Sequence, residues 1–282
     1  MTAISDPRLP SADNNVVWLD WPAPASVRAC YSLRHEGHSN GAYSNFNLGD
    51  HVGDSAVHVS KNRKLLEEII GQQGISWLQQ VHGTRVVDAS LGNGCQADAS
   101  YTQELNQVCN VMTADCLPVF FCDTEGRQVA VAHAGWRGLH AGVLQQTVAQ
   151  FHRTRRVNGQ TNPSRIIAYL GPAISQEAFE VGDDVREAFL SLPHDQLKRG
   201  RQYFKAGRAL DGRSRINSPE VIKDTRKWMA DLYGIAKDIL NNVGVNDIYG
   251  GERCTFTEVD DFFSYRRDGR TGRMVNLIWL DR

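Results

Sequence analysis

Two apolar runs of β type end on reactive residues, and this arrangement most constrains what the chain can fold into. Residues 108–112 (Val-Cys-Asn-Val-Met) lead into Thr113-Ala114-Asp115-Cys116, and residues 129–132 (Val-Ala-Val-Ala) lead into His133-Ala134-Gly135-Trp136-Arg137-Gly138. A third run, 166–170, closes on Gly171-Pro172 and reads as another buried strand. Short apolar runs bounded by Gly and Pro are strand signals. Pro118 has no N–H for a central ladder, so it marks a strand end or bulge beside Cys116. A thiol and an imidazole are therefore both delivered by strand ends, where α/β proteins place their chemistry.

The rest of the chain supplies the helices and loops such strands need. Residues 16–19 and 27–34 are strand-like, and 35–54 form a Gly/Asn/Ser-rich loop of functional length. Helical spacing at Val57, Lys61, Leu65, Leu66 and Ile69 stops at Gly71. Residues 75–78 and 85–87 read as strands joined through His82-Gly83. The spacing predicts helices over 138–152 and 183–192, and a long one over 219–243 with apolar positions at Val221, Ile222, Trp228, Leu232, Ile235, Ile239 and Leu240. Residues 193–218 read as a basic, irregular excursion, and 247–249 and 277–280 as strands. No repeat or linker divides the chain. The expected organisation is a poorly ordered tail over 1–20 and one α/β domain over 21–282.

Composition narrows the function classes. With 282 residues, 41% hydrophobic and 22% charged, the chain affords a sizeable core. A net charge of −1 argues against a nucleic-acid binder built on phosphate contacts. Six cysteines (30, 95, 109, 116, 122 and 254) include no C-x-x-C pair, which suits reduced thiols in a cytoplasmic protein. The first twenty residues lack the apolar stretch of a secretory signal, and no run approaches the roughly 20 apolar residues of a membrane helix.

The reactive residues admit two chemistries. Cys116, His133 and His82 (one Cys and two His) can bind zinc and leave its fourth position open. Alternatively, Cys116 and His133 form a thiolate–imidazole nucleophile pair without metal. Cys30, Cys95, Cys109 and Cys122 read as small core residues. Arg34, Arg137, Arg266 and Arg267 each adjoin a Gly-containing or aromatic loop, and two converging would make a phosphate pocket. His51, in Asp50-His51-Val52-Gly53, is the other histidine retained.

At this level the chain resembles the YfiH, or laccase-domain, family. The resemblance is carried by 41–54 (Gly-Ala-Tyr-Ser-Asn-Phe-Asn-Leu-Gly-Asp-His-Val-Gly-Asp), Gln80-Val81-His82-Gly83, Ala97-Asp98-Ala99, Thr113 to Pro118, and His133 to Gly138. In the C-terminal half it rests on Leu170 to Ile174, Phe179-Glu180-Val181-Gly182, Gly250 to Thr255, Phe262 to Asp268 and Thr271-Gly272-Arg273. Two departures are Glu36-Gly37-His38-Ser39, where the family usually has Gly-Gly, and the unmatched stretch 193–218.

The resemblance implies an α/β (α+β) fold, a four-layer α-β-β-α sandwich with mixed β-sheets shared with the cytotoxic-necrotising-factor deamidase. It implies His82, Cys116 and His133 as zinc ligands and phosphorolysis of adenosine, inosine, guanosine and methylthioadenosine to base and ribose 1-phosphate. Adenosine deamination is an implied second activity, with zinc acidifying a water. On this reading Cys116, His133, His82 and Asp115 are the catalytic candidates. Asp115 is a proton shuttle or partner of a ligand, and Arg137, Arg34, Asn47 and Arg266 are substrate and phosphate contacts. Phe262, Phe263 and Tyr265 are candidates to stack on the purine. The partners are small molecules, with no nucleic acid or membrane. The alternatives are a cysteine hydrolase or amidase using Cys116 and His133, possible in peptidoglycan precursor editing, a non-enzymatic binding module, and a copper polyphenol oxidase. The last ranks lowest because the chain has four Met and no H-x-H pair for further copper sites.

Overall fold

Continuous apolar strands require cover on both faces, and the sheets here provide it. The computed structural model describes residues 15–91, 93–157, 164–207 and 227–281. A six-stranded mixed sheet has the order β12 (Asp247–Gly250), β8 (Ile166–Leu170), β6 (Leu117–Asp123), β7 (Val129–Ala134), β4 (Ala99–Thr102) and β3 (Val86–Asp88). Its two central strands, β6 and β7, are buried at every residue. The outer pairs β12–β8 and β3–β4 are parallel and the inner pairs antiparallel. A four-stranded antiparallel sheet runs β1 (Val16–Trp18), β2 (Val27–Ser32), β13 (Met274–Leu280), β5 (Cys109–Thr113). A small third sheet joins β10 (Phe204–Ala206), β11 (Trp228–Ala230) and β9 (Glu180–Val181).

Period-two alternation decides which side chains meet. Cys109, Val111, Ala29 and Ile278 of the four-stranded sheet pack against Phe120, Cys122, Val129 and Val131 of the six-stranded one. The opposite face of the latter, with Val119, Phe121, Ala130 and Ala132, is covered by α3 (Val143–Val157) and α5 (Leu232–Asn242). The opposite face of the former, with Cys30, Met112, Leu277 and Trp279, is covered by α1 (Ala56–Ile70) through Leu66 and Ile70. Shorter helices α2 (Trp136–Ala141), α4 (Asp183–Leu190) and α6 (Tyr265–Asp268) complete the set. The chain is thus a mixed α/β protein with several sheets. Among the described residues no helix is long and apolar enough to cross a membrane.

Most elements fall where the sequence puts them, and α1 ends at Gly71 in the left-handed conformation (φ 68°). Five expectations change. The tail bound of 1–20 is too long, because Val16–Trp18, strand-like in sequence, pairs with β2 as an edge strand; residues 1–14 lie outside the described ones. Residues 75–78 are not a strand: the Trp77 N–H donates to Asn93 Oδ1 (2.7 Å), and only Gln79 makes a ladder bridge, to Gln96. The helix expected over 138–152 is two, broken at Gly142 (φ 99°), whose N–H turns back to Gly138 and Leu139. The excursion at 193–218 is partly ordered, with a 3-10 turn over Gly200–Tyr203 and then β10; 208–218 lie outside the described residues. The long helix over 219–243 is also corrected. Trp228 lies in β11, α5 starts at Leu232, and 219–226 lie outside the described residues. Trp228 continues the apolar spacing of Leu232 and Ile235, but Asp231 caps the helix between them by accepting the Gly234 N–H (2.9 Å).

If α5 begins at this cap, Asp231→Ala should lower unfolding stability by about 1 kcal/mol with an unchanged denaturant slope. An unchanged denaturation midpoint would mean that the helix starts elsewhere.

Candidate metal and thiolate site

Three local structures bring the reactive side chains together. Cys116 follows β5 at a turn where Asp115 takes a left-handed backbone (φ 90°), and the chain then enters β6. His133, near the end of β7, lies opposite Pro118. His82 sits in the loop before β3, also left-handed (φ 59°). Such conformations are uncommon outside glycine and persist where the surroundings hold them.

The fully buried Asp98 carboxylate supplies that hold. Its Oδ1 lies 2.8 Å from His133 Nδ1 and accepts the His82 N–H (2.9 Å). Its Oδ2 accepts the N–H groups of Gly83 (2.6 Å) and Val81 (3.2 Å). The His133 N–H donates to the Asp98 carbonyl (2.7 Å). One side chain thus fixes the histidine loop and orients the imidazole of β7. Gly135 leaves room for the third member: a Cβ there would stand 2.8 Å from Cys116 Sγ and 3.1 Å from His82 Cδ2.

The donor set fits a metal. The ligand atoms of His82, Cys116 and His133 all lie within 4.8 Å of one another, and Cys116 Sγ is 3.9 Å from His82 Nε2. Tetrahedral zinc with bonds of about 2.0–2.3 Å needs donors roughly 3.3–3.8 Å apart, so small side-chain movements suffice. With His133 Nδ1 on Asp98, its Nε2 is the nitrogen left for a metal, and a carboxylate behind a ligating histidine is the usual support. Among the described residues this is the only such cluster of three or more His, Cys, Asp or Glu.

The electrostatics suit a thiolate. Burial alone would raise the Cys116 thiol, but the charge and contact of His133, with His82 adding, outweigh it and bring it down to about 6. Burial would push His133 toward neutrality, but the Cys116 thiolate and the Asp98 carboxylate hold its imidazolium up to about 9. Asp98 itself, despite its burial, is held below the ordinary carboxylate range by His133 and the 81–83 amides. By contrast, burial raises the Cys109 and Cys122 thiols, as expected of core residues.

The site opens into a cleft of about 580 Å³, lined by His51, Gln80, Trp136, Arg137, Phe179, Tyr265, Arg266 and Arg273 besides the reactive residues. Arg137, stacked over Trp136 (4.5 Å), and Arg266, over Phe179 (5.2 Å), both line it. The structure places other candidates differently. Arg34 lies outside the cleft lining: its Nε and Nη2 donate to the Ser44 carbonyl and its Nη1 to that of Val259. Asn47 is fully buried and bonds Gly49, Asp54 and the Arg273 N–H, which makes it a loop anchor. Asp115 lines the cleft, but its carboxylate accepts from Thr255 Oγ1 (2.7 Å) and the Arg266 N–H (2.6 Å). Phe262 and Phe263 are fully buried in the core; only Tyr265 is exposed beside the cleft. Sequence reasoning noted Asp98 and Arg273 as parts of motifs but missed both as site residues. A lone Asp between two alanines, just before a largely buried strand, is a signal of partnered charge that could have found Asp98.

Comparison with known proteins shows the family. The family described as "Multi-copper polyphenol oxidoreductase laccase" matches residues 28–281. A protein of Escherichia coli (strain K12) named "Purine nucleoside phosphorylase YfiH" is 46% identical over 264 residues, covering 92% of this chain and 96% of that one. One of Haemophilus influenzae named "Purine nucleoside phosphorylase" is 44% identical, covering 93% and 98%. The crystal structure of Neisseria meningitidis protein NMB0706 superposes with a TM-score of 0.79 at 46% identity, covering 95% of this chain and all of that one.

In metal-free protein, alkylation of Cys116 should follow its thiolate, rising with pH to a midpoint near 6 rather than the ordinary ~8.5, while buried Cys109 and Cys122 stay inert. His133→Asn removes the positive neighbour and should move the midpoint upward. A midpoint near 8.5 in the unmutated protein would contradict the pairing.

Proposed function

This chain belongs to the YfiH, or laccase-domain, family, and on that footing we propose that it is a purine nucleoside phosphorylase. It acts on adenosine, and also on inosine, guanosine and methylthioadenosine, giving free base and ribose 1-phosphate. The observation that carries this reading is the Asp98-held His82, Cys116 and His133 set opening onto a cleft with several cations. The names of relatives matched over more than nine-tenths of the chain support it. The cleft volume falls within the roughly 300–1,000 Å³ of small-molecule sites.

Phosphorolysis requires phosphate held near the sugar's C1′, tolerance of positive charge on the sugar, and a purine activated to leave. Arg137, Arg266 and Arg273 supply the anion contacts, and Tyr265 offers an exposed ring against which a purine stacks. Asp115 ties the start of α6 to the turn before Cys116, which positions Tyr265 and Arg266; we assign it this part rather than proton transfer. Zinc held by His82, Cys116 and His133 would supply a Lewis acid beside the substrate, and the same cleft is the place for adenosine deamination as a side activity. One thiolate and two neutral imidazoles suit zinc. The single cluster among the described residues suits it better than a multicopper oxidase, which needs several copper sites. We further read 21–282 as one catalytic domain in four layers, supported by the clusters between the sheets and under the helices. A cytoplasmic setting is supported by six free thiols.

One observation favours a second reading. Asp98, His133 and Cys116 stand in the order orienter, base and nucleophile, as in cysteine hydrolases. A phosphorylase releases adenine from adenosine only when phosphate is supplied, and a strong zinc chelator stops it. Phosphate-independent, chelator-resistant turnover would establish the hydrolase instead.

A further inference from the structure

Arg273 is the cation of the cleft whose surroundings are built around it. Its N–H donates to Oδ1 of the buried Asn47 (2.9 Å), and its carbonyl accepts the Leu48 N–H (3.2 Å). Its side-chain stem lies on Gly49, where a Cβ would stand 2.8 Å from Arg273 Cγ. Its Nη1 donates to the carbonyls of Thr271 (3.1 Å) and Gly272 (2.9 Å). Backbone, stem and one arm of the guanidinium are therefore fixed before any ligand arrives. Nε and Nη2 remain, the edge that pairs with two oxygens of one anion.

No carboxylate forms an ion pair with Arg273 among the described residues, although the group is half-buried in the wall of the cleft. A partly desolvated guanidinium with no direct ion pair gains when a ligand brings an anion to it. The other cations are arranged differently. Arg266 already spends Nη1 on the Glu180 carbonyl (2.7 Å), and Arg137 is stacked on Trp136. Arg273 lines the same cleft as Cys116 and Asp115, whose charges partly offset the pull of burial on its guanidinium.

We infer that Arg273, through its Nε–Nη2 edge, is the principal anchor for the phosphate oxygens in this cleft, with Arg137 a rim contact. The inference rests on the phosphorylase reading for the identity of the anion, and it assigns the anion's place. Asn47 and Gly49 act through Arg273 as positioning residues, although the Asn47-Leu48-Gly49 turn does not itself line the cleft.

The test is calorimetric titration of the purified protein with inorganic phosphate, without nucleoside. The unmutated protein should bind phosphate. Arg273→Gln should weaken binding by about 30-fold or more, as loss of a charged hydrogen-bonded fork predicts, and Arg273→Lys, which keeps the charge but not the fork, by about 10-fold. Gly49→Ala should weaken it while leaving every charge in place. Arg137→Gln, at the rim, should weaken it less than Arg273→Lys does. In turnover, Arg273→Lys should raise KM for phosphate far more than KM for adenosine. Absence of phosphate binding in the unmutated protein, or Arg273→Lys binding as the unmutated protein does, would overturn the inference, and the Lys variant carries the test if the Gln variant fails to fold. Arg273-dependent phosphate binding without phosphate-dependent release of base would leave this inference standing and refute the phosphorylase.

Discussion

The site depends on one buried carboxylate. Asp98 receives the His133 imidazole and three consecutive backbone N–H groups, so both of its oxygens are doubly used. Hydrogen bonds to a charged group contribute roughly 1.5–3 kcal/mol each, and losing the acceptor strands buried donors. That interaction holds His82 in a backbone conformation a histidine seldom adopts, and it leaves Nε2 of His133 as the nitrogen facing Cys116. The geometry of the candidate ligands is therefore a property of the protein itself.

The two larger sheets make this arrangement rigid. β6 and β7 are central, buried at every residue, and sealed by side chains from the four-stranded sheet on one face and from α3 and α5 on the other. Close packing of this kind transmits small displacements, which is why the sulfur beside Gly135 has little freedom. The C-terminal segment joins the same frame from the far end of the sequence. β13 lies between β2 and β5, and it delivers Arg273 to the cleft while Asp115 clamps the start of α6. The part of the cleft wall that carries Arg273 thus depends on strand pairing between residues more than 150 positions apart.

Much of this was legible in the sequence. The apolar runs before Cys116 and before His133 are strands, Gly71 does end α1, and the Cys116, His133 and His82 trio does converge, because strand periodicity and glycine punctuation are local signals. What failed to show was long-range. Arg34 and Arg137 look alike in sequence, yet one is consumed by the carbonyls of Ser44 and Val259 and the other faces the cleft. Asn47 has the composition of a binding residue but spends its side-chain amide on its own loop and on Arg273. Phe262 and Phe263 stand beside Tyr265 in sequence, yet they are fully buried while Tyr265 is exposed. Trp228 continues the apolar spacing of α5 but pairs in a sheet, because the cap at Asp231 outweighs periodicity. In each case the decisive partner is distant in sequence, or is a backbone group that no pattern records.

The central claim is that Asp98 pre-organises the metal site, and Asp98→Asn tests it most directly. Whichever way the new amide turns, its NH2 faces groups that donate, so the network cannot be satisfied. The variant's zinc affinity, measured by competition with a chelator of known strength, should fall about 10- to 100-fold. Hydrogen exchange at the Val81, His82 and Gly83 amides should accelerate in the metal-free protein while the β6 and β7 amides stay protected. Unchanged zinc affinity together with unchanged exchange over 81–83 would contradict the account.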